Sequence, residues 1–208
     1  MSIEIFDVPQ NSPEWRQARL GIATASEFSS IMASGRGGAE SKTRRKYLLR
    51  LAAEIISGAP IETFYSPDMA RGHLMEDEAR NLYAFMHDVE PQRVGFVRNG
   101  PKGCSPDAFI GDKGILEIKT QRGDLLLETL LKNEFPPEHR AQCQGALWVC
   151  ERDYIDICVY WPNLPLFVKR AYRDDVFIAA LSCAVDEFNE ELAETVERVR
   201  RYGMLEAA

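Results

Sequence analysis

The sequence predicts a mixed α/β fold, a mixed central sheet flanked by helices. Three observations carry this. Short runs of strand composition fall near 93–98, 105–110, 114–120, 153–161 and 165–172. Longer stretches with helical spacing of apolar residues alternate with them at 41–57, 67–87, 124–133, 138–150 and 174–202. The tetrad Gly111-Asp-Lys-Gly114 separates two of the strand runs with turn chemistry and marks a β-hairpin. At 208 residues the chain has the length of one domain with a substantial core, and no repeat, low-complexity tract or linker divides residues 1–208.

Taken in order, residues 3–8 fit a short opening strand. Ser12-Pro13 opens a helix to about Leu20, since serine caps a helix start and proline fits its first turn, and Gly21 supplies the stop. Thr24-Ala-Ser-Glu27 has the form of a capping box and predicts a second helix. The glycines of 35–38 predict a flexible loop, and the helix 41–57 ends at Gly58. Ser66-Pro67 opens another helix that continues to about His87. The strands, the hairpin and two further helices follow, and a long acidic helix at 174–202 closes the chain.

The chemistry lies in the hairpin, Ser105-Pro-Asp-Ala-Phe-Ile-Gly-Asp-Lys-Gly-Ile-Leu-Glu-Ile-Lys-Thr120. Side chains alternate along a strand, so Glu117 and Lys119 project from one face and Leu116 and Ile118 from the other. Asp107, at the start of the partner strand, can meet Glu117 across the hairpin. Two carboxylates and an ammonium then converge. Mg²⁺ suits such a place, because it takes one or two carboxylates together with phosphate and water. A lysine there can hold an attacking water and offset charge on a phosphate. A Glu-x-Lys pair alone is also what a half-exposed strand displays as solvated charges. The preceding Asp and the intervening turn favour a site.

Other classes lack their marks. There is no Gly-x-x-x-x-Gly-Lys-Ser/Thr phosphate loop, no zinc-type Cys/His spacing and no Gly-x-Ser-x-Gly elbow. No apolar run approaches the roughly 20 residues of a membrane span, and residues 1–30 carry no signal-peptide stretch. Cys104, Cys143, Cys150, Cys158 and Cys183 form no Cys-x-x-Cys pair and read as reduced, mostly buried thiols of a cytoplasmic protein. The net charge of −7 opposes nonspecific coating of DNA. The charge is uneven, however. Residues 36–50 are basic (Arg36, Lys42, Arg44, Arg45, Lys46 and Arg50), whereas 174–208 is acidic, so an acidic exterior around a basic passage is compatible with the total.

Five blocks go further. Glu14-Trp-Arg-Gln-Ala-Arg-Leu-Gly-Ile-Ala-Thr-Ala-Ser-Glu27, Arg71-Gly-His-Leu-Met-Glu-Asp-Glu-Ala79, Cys104-Ser-Pro-Asp-Ala108, Leu116-Glu-Ile-Lys119 and Ala141-Gln-Cys-Gln144 stand in this order across residues 14–144. Together they resemble the phage lambda exonuclease (YqaJ-type viral recombinase) family of the PD-(D/E)xK nuclease superfamily. The resemblance implies a restriction-endonuclease-like nuclease core and a Mg²⁺-dependent, processive 5′→3′ exonuclease acting on double-stranded DNA ends. Such an enzyme releases 5′-mononucleotides and leaves 3′ single-stranded tails for recombination by strand annealing.

The resemblance also implies a site. Asp107, Glu117 and the Ile118 carbonyl hold metal, with two ions during catalysis and Mn²⁺ as a substitute for Mg²⁺. Lys119, Glu76 and Gln142 assist. Helical periodicity does not choose among Glu76, Asp77 and Glu78; position in the family block selects Glu76, as it selects Gln142 over Gln144. Arg19, Ser26 and Ser105 are implied to bind the DNA 5′-phosphate. By chemistry alone Arg19 is equally a helix-end cation, Ser26 a local hydrogen-bonding residue and Ser105 a strand start. The implied partners are a single-strand annealing recombinase protein and two further copies in a ring-shaped homotrimer, in a phage or prophage protein of the bacterial cytoplasm. Two other readings use the same residues: a structure-specific endonuclease, and a noncatalytic DNA-binding recombination scaffold.

Overall fold

Eight strands form two four-stranded mixed sheets flanked by helices in the computed structural model, which describes residues 3–35, 37, 41–61 and 67–202. The first sheet holds β1 (Ile3–Phe6), β2 (Ala23–Thr24), β3 (Phe96–Asn99) and β4 (Lys102–Cys104) in the order β1-β3-β4-β2. The second holds β5 (Ala108–Ile110), β6 (Gly114–Thr120), β7 (Tyr154–Tyr160) and β8 (Phe167–Tyr172) in sequence order. In the second sheet β6 and β7 run parallel, while β5 and β8 are antiparallel to their neighbours.

The expected α/β class holds, with the strands divided between two sheets. The division falls at Ser105-Pro106-Asp107. Proline offers no N–H to a ladder, so the chain leaves the first sheet at Cys104 and enters the second at Ala108. The strand expected over 105–110 therefore begins at Ala108. Strands β2 and β4 are too short to carry a period-2 pattern, and the sequence shows neither.

The helices are α1 (Pro13–Ala18), α2 (Phe28–Met32), α3 (Lys42–Ser57), α4 (Pro67–His87), α5 (Gly123–Lys132), α6 (Arg140–Cys150) and α7 (Asp175–Arg200). Ser12 caps α1 by accepting from the Trp15 amide, and Ser41 and Asp174 cap α3 and α7 in the same way. Gly58 ends α3 in the left-handed region, φ 68°, where glycine carries no steric cost. The Thr24 capping box does not form: residues Ala25–Glu27 make a 3₁₀ turn without a side-chain cap. Glu27 instead accepts from Ser30 and Arg50. Of the expected loop at 35–38, Arg36 and Gly38 lie outside the described residues, as does Ser66 ahead of α4. Among the described residues no helix is long and apolar enough to cross a membrane.

The second sheet is covered on both faces. Leu116, Ile118, Cys158 and Tyr160 pack with Ala79 and Tyr83 of α4. Ile115, Ile155, Ile157 and Val159 join the larger core, with Cys143, Ala146 and Leu147 of α6 and Leu181, Val185 and Phe188 of α7. Alternation therefore places Glu117 and Lys119 on the face that α6 covers. Helix α6 reaches that position through a close approach: a Cβ on Gly145 would stand 2.3 Å from the Phe28 ring of α2. Gly145→Ala gains about 1 kcal/mol of helix propensity but overpacks the buried contact, at a cost of about 1–3 kcal/mol. The expected result is a lower denaturation midpoint in urea with an unchanged m-value; a raised midpoint would show that α6 and α2 do not meet this closely.

Candidate active site

The hairpin register builds the centre. Ala108 pairs with Leu116 and Ile110 with Gly114, so one step further Asp107 stands opposite Glu117 on the same face. Asp107 Oδ2 accepts from the Ile118 amide, which fixes the carboxylate against the start of the ladder. On β6, Lys119 Nζ donates to Glu117 Oε1 at 2.7 Å. Gln142 of α6 joins both: its Nε2 donates to Glu117 Oε1, and its Oε1 accepts from Lys119 Nζ at 3.2 Å. Glu117 is 4% exposed, so it is a buried carboxylate whose partners are a cation and an amide.

Charge is concentrated here. Burial is the largest influence on Asp107 and holds its carboxyl well above the usual range; the Glu117 charge pushes further in the same direction and Glu76 adds to it, against Lys119 and the Ile118 amide. Burial alone would push the Lys119 ammonium down, but Glu117 and Asp107 outweigh it and hold the pKa above its ordinary value. Glu76, on α4, lines a cavity of about 570 Å³ together with Asp107, Gln10 and Arg80. Gln10 closes this cavity's edge by donating to the carbonyls of Val94 and Pro106, both at 2.9 Å.

The residues suit a hard divalent cation. Among the described residues no three His, Cys, Asp or Glu side chains gather into a complete metal cage. Asp107 and Glu117 are two convergent carboxylates whose mutual repulsion a dication would relieve, and such a sparse oxygen set matches an ion that keeps water and takes substrate oxygens.

A second cluster begins two residues before Asp107. Trp15 Nε1 donates to Ser105 Oγ at 2.9 Å. The Arg19 guanidinium lies over the Trp15 ring, 3.9 Å from its centroid, and Arg19 Nη2 reaches Thr24 Oγ1 at 3.5 Å. Thr24 Oγ1 lies 3.3 Å from Ser26 Oγ. Arg19, Ser26, Trp15, Thr24, Tyr47 and Arg50 line one cavity of about 1040 Å³. Burial pushes the Arg19 pKa down, Tyr47 opposes this and Arg50 adds to it.

The sequence-predicted residues are thus gathered in two groups. Asp107, Glu117, Lys119 and Gln142 form one, with Ile118 held through its amide and Glu76 facing Asp107 across a cavity. Arg19, Ser26 and Ser105 belong to the other, linked through Trp15 and Thr24. Arg19 is also the C-cap residue of α1, so its helix-end position is real. Gln144 is buried elsewhere, donating to the Tyr172 carbonyl and accepting from the Asp174 amide. Cys104, Cys143, Cys150 and Cys158 are buried free thiols and Cys183 is exposed. Part of the basic run is paired within the chain: Arg44 and Arg45 with Glu191 of α7, and Arg50 with Glu27. Trp15, Thr24 and Tyr47 escaped notice as cavity residues. Trp15 stands inside a family block, but nothing local distinguishes an indole that bridges two distant residues from one that packs.

A model described as a YqaJ-like viral recombinase domain matches residues 14–153. The chain belongs to this family. No curated protein matches it in sequence. Among solved structures the chain is similar to an alkaline exonuclease from Laribacter hongkongensis, with 28% identity and a TM-score of 0.84 over 93% of this chain and 98% of that one. The same values hold for that enzyme in complex with dAMP. A phage related exonuclease from Haemophilus somnus 129PT shares the fold, with a TM-score of 0.65 at 14% identity over 86% of this chain and 96% of its own.

The crowding at Asp107 has a pH signature in the metal-free YqaJ-like domain. A carboxyl whose folded pKa is raised contributes stability below its unfolded value, about 3.9, and that contribution is lost as pH rises through the folded value. Asp107→Asn keeps an acceptor for the Ile118 amide and removes the charge. In chelator at pH 7 the variant should melt higher than wild type by a few degrees, at about 2–4 °C per kcal/mol for a chain of this size. The gap should close near pH 4. Melting curves followed by circular dichroism decide it, and a variant that melts lower at pH 7 would contradict the assigned repulsion.

Proposed function

We propose that this chain is a metal-dependent exonuclease that degrades one strand of duplex DNA from a 5′ end, releasing 5′-mononucleotides. The observation that carries the proposal is the convergence of Asp107, Glu117, Lys119 and Gln142 two residues beyond Ser105, which is tied to the Arg19 cavity through Trp15. Two residues separate Ser105 from Asp107 by at most about 7 Å of backbone, a reach comparable with one nucleotide. A terminal phosphate held by Arg19, Ser26 and Ser105 would therefore leave the next phosphodiester beside the carboxylates. Family membership and the likeness to an alkaline exonuclease that has been solved with dAMP support the same reading.

Each side chain has a task. Asp107 and Glu117, with the Ile118 carbonyl, would hold Mg²⁺, for which Mn²⁺ is the natural substitute. The cation supplies charge that polarises the scissile phosphate and lowers the pKa of a bound water. Lys119, a cation in this setting, orients the attacking water and offsets the charge that grows on the phosphoryl oxygens. Gln142 holds Lys119 and Glu117 in register, so the ammonium cannot swing away. Glu76 adds an acceptor on the Asp107 side, placed to receive a proton or to bind a second ion. At the far end, an arginine fork with two hydroxyls suits a terminal phosphate.

The wider reading has one domain spanning the chain and a ring of three copies in the bacterial cytoplasm. The ring would supply processivity without an ATP motif, because closed heterologous contacts encircle the duplex. The 3′ tails would pass to a single-strand annealing recombinase protein. An endonuclease on the same fold is the competing reading, and substrate topology separates them. Linear duplex with Mg²⁺ should be degraded to mononucleotides while a covalently closed circle stays intact; nicking of the circle would overturn the exonuclease assignment. Lys119→Ala should lower the digestion rate by about 10²–10³-fold, the range for loss of one transition-state donor, with the melting transition and duplex binding retained. Near-normal turnover by the folded variant would remove Lys119 from the mechanism.

A further inference from the structure

Trp15 lines the Arg19 cavity and touches both Ser105 and Arg19. Its indole N–H is shared between Ser105 Oγ at 2.9 Å and the Gly95 carbonyl at 3.2 Å. Gly95 is itself fixed, since a Cβ there would stand 2.2 Å from the Val8 carbonyl oxygen. The indole nitrogen only donates, so Ser105 must accept in this pair and keeps its own hydroxyl hydrogen. Among the described residues nothing accepts that hydrogen. On the ring face, the Arg19 guanidinium stacks 3.9 Å from the centroid. A guanidinium over an aromatic face keeps its N–H groups free to donate, and Arg19 lines the cavity beside Trp15. Only one of them finds a partner, the long 3.5 Å contact to Thr24 Oγ1, and among the described residues no carboxylate pairs with Arg19.

We propose that Trp15 is a positioning residue for terminal-phosphate recognition: its N–H turns the Ser105 hydroxyl hydrogen toward the anion while its face aims the Arg19 fork at the same point. This rests on the phosphate-pocket reading given above and adds to it the group that couples two residues 86 positions apart. The Ser105 hydroxyl hydrogen and the remaining Arg19 N–H groups are donors that no acceptor takes up among the described residues. An anion with several acceptor oxygens satisfies both together.

The test separates the N–H from the face and needs no cleavage. Trp15→Phe keeps an aromatic surface for Arg19 and deletes the donor. Binding of a short fluorescent duplex bearing either a 5′-phosphate or a 5′-hydroxyl is measured by anisotropy in chelator. Wild type should prefer the phosphorylated end, and Trp15→Phe should shrink that preference by about tenfold, the scale of a hydrogen bond to a charged group. Ser105→Ala should shrink it similarly, and the double variant should lose no more than either single one, because the N–H acts through Ser105. Two losses that multiply, or a preference unchanged in Trp15→Phe, would overturn the proposal; a purely packing role predicts a lower melting temperature at constant preference. A second measurement needs no variant: the assigned Trp15 indole N–H resonance of the ¹⁵N-labelled wild type should move on adding the phosphorylated duplex and not the hydroxyl one. An unmoved resonance contradicts the coupling even if Trp15→Phe fails to fold. Internal cutting by a protein that passes these binding tests would sink the exonuclease reading and leave Trp15 in its role. Clean exonuclease action with no coupling would do the reverse.

Discussion

Asp107 faces Glu117 because the β5–β6 hairpin pairs Ala108 with Leu116 and Ile110 with Gly114. That register is fixed from both sides. Ala108, Ile110, Leu116 and Ile118 must point at α4, and a slip by one residue would turn them to the α6 face and the charged residues into the α4 core. Arg152 braces the turn by donating to the carbonyls of Gly111 and Gly114 at 2.7 and 2.8 Å, with its guanidinium 3.5 Å from the Phe109 ring centroid. Hydrophobic pairing thus places polar groups that repel one another. The apolar surroundings overrule the local electrostatics, which is how a crowded pair of carboxylates persists in a stable fold.

Helix α6 turns that pair into a centre. It is held by the closely packed Phe28–Gly145 contact and by the core it shares with α7, and those contacts set where Gln142 falls. Gln142 then bridges Glu117 and Lys119, so the three side chains are positioned by two elements rather than one flexible strand. The first sheet contributes through Ser105, which leaves β4 just before the break at Pro106. One interruption in the ladder therefore places Ser105, which accepts from Trp15 of the Arg19 cavity, and Asp107 in a single segment of chain.

Much of this was legible in the residues. The turn tetrad, the alternation of β6 and the cap at Ser12 are local signals, and the structure follows them closely. The pairing of Asp107 with Glu117 is legible too, since hairpin register follows from turn length. What failed was equally local in form. The Thr24-x-x-Glu27 pattern matches a capping box, but Glu27 is drawn off by Arg50 of α3, a partner that no window of sequence contains. The pairing of Arg44 and Arg45 with Glu191, from the far end of the chain, was equally out of reach of any local pattern. The split into two sheets was hidden because Ser105 reads as a strand start until the partners on either side are known. Glu76 and Gln142 could be chosen from their neighbours only through the family blocks; helical periodicity treats the alternatives alike.

On the proposed reading, polarity is a consequence of geometry: a terminal phosphate near Ser105 would set the scissile bond beside Asp107 and Glu117. The most direct measurement is digestion of a linear duplex with Mg²⁺, labelled in parallel at the 5′ or the 3′ ends. Release of the 5′ label at once as a mononucleotide, with the 3′ label retained in long strands until late, is the predicted result. Early release of the 3′ label, or of short internal fragments carrying either label, would contradict it.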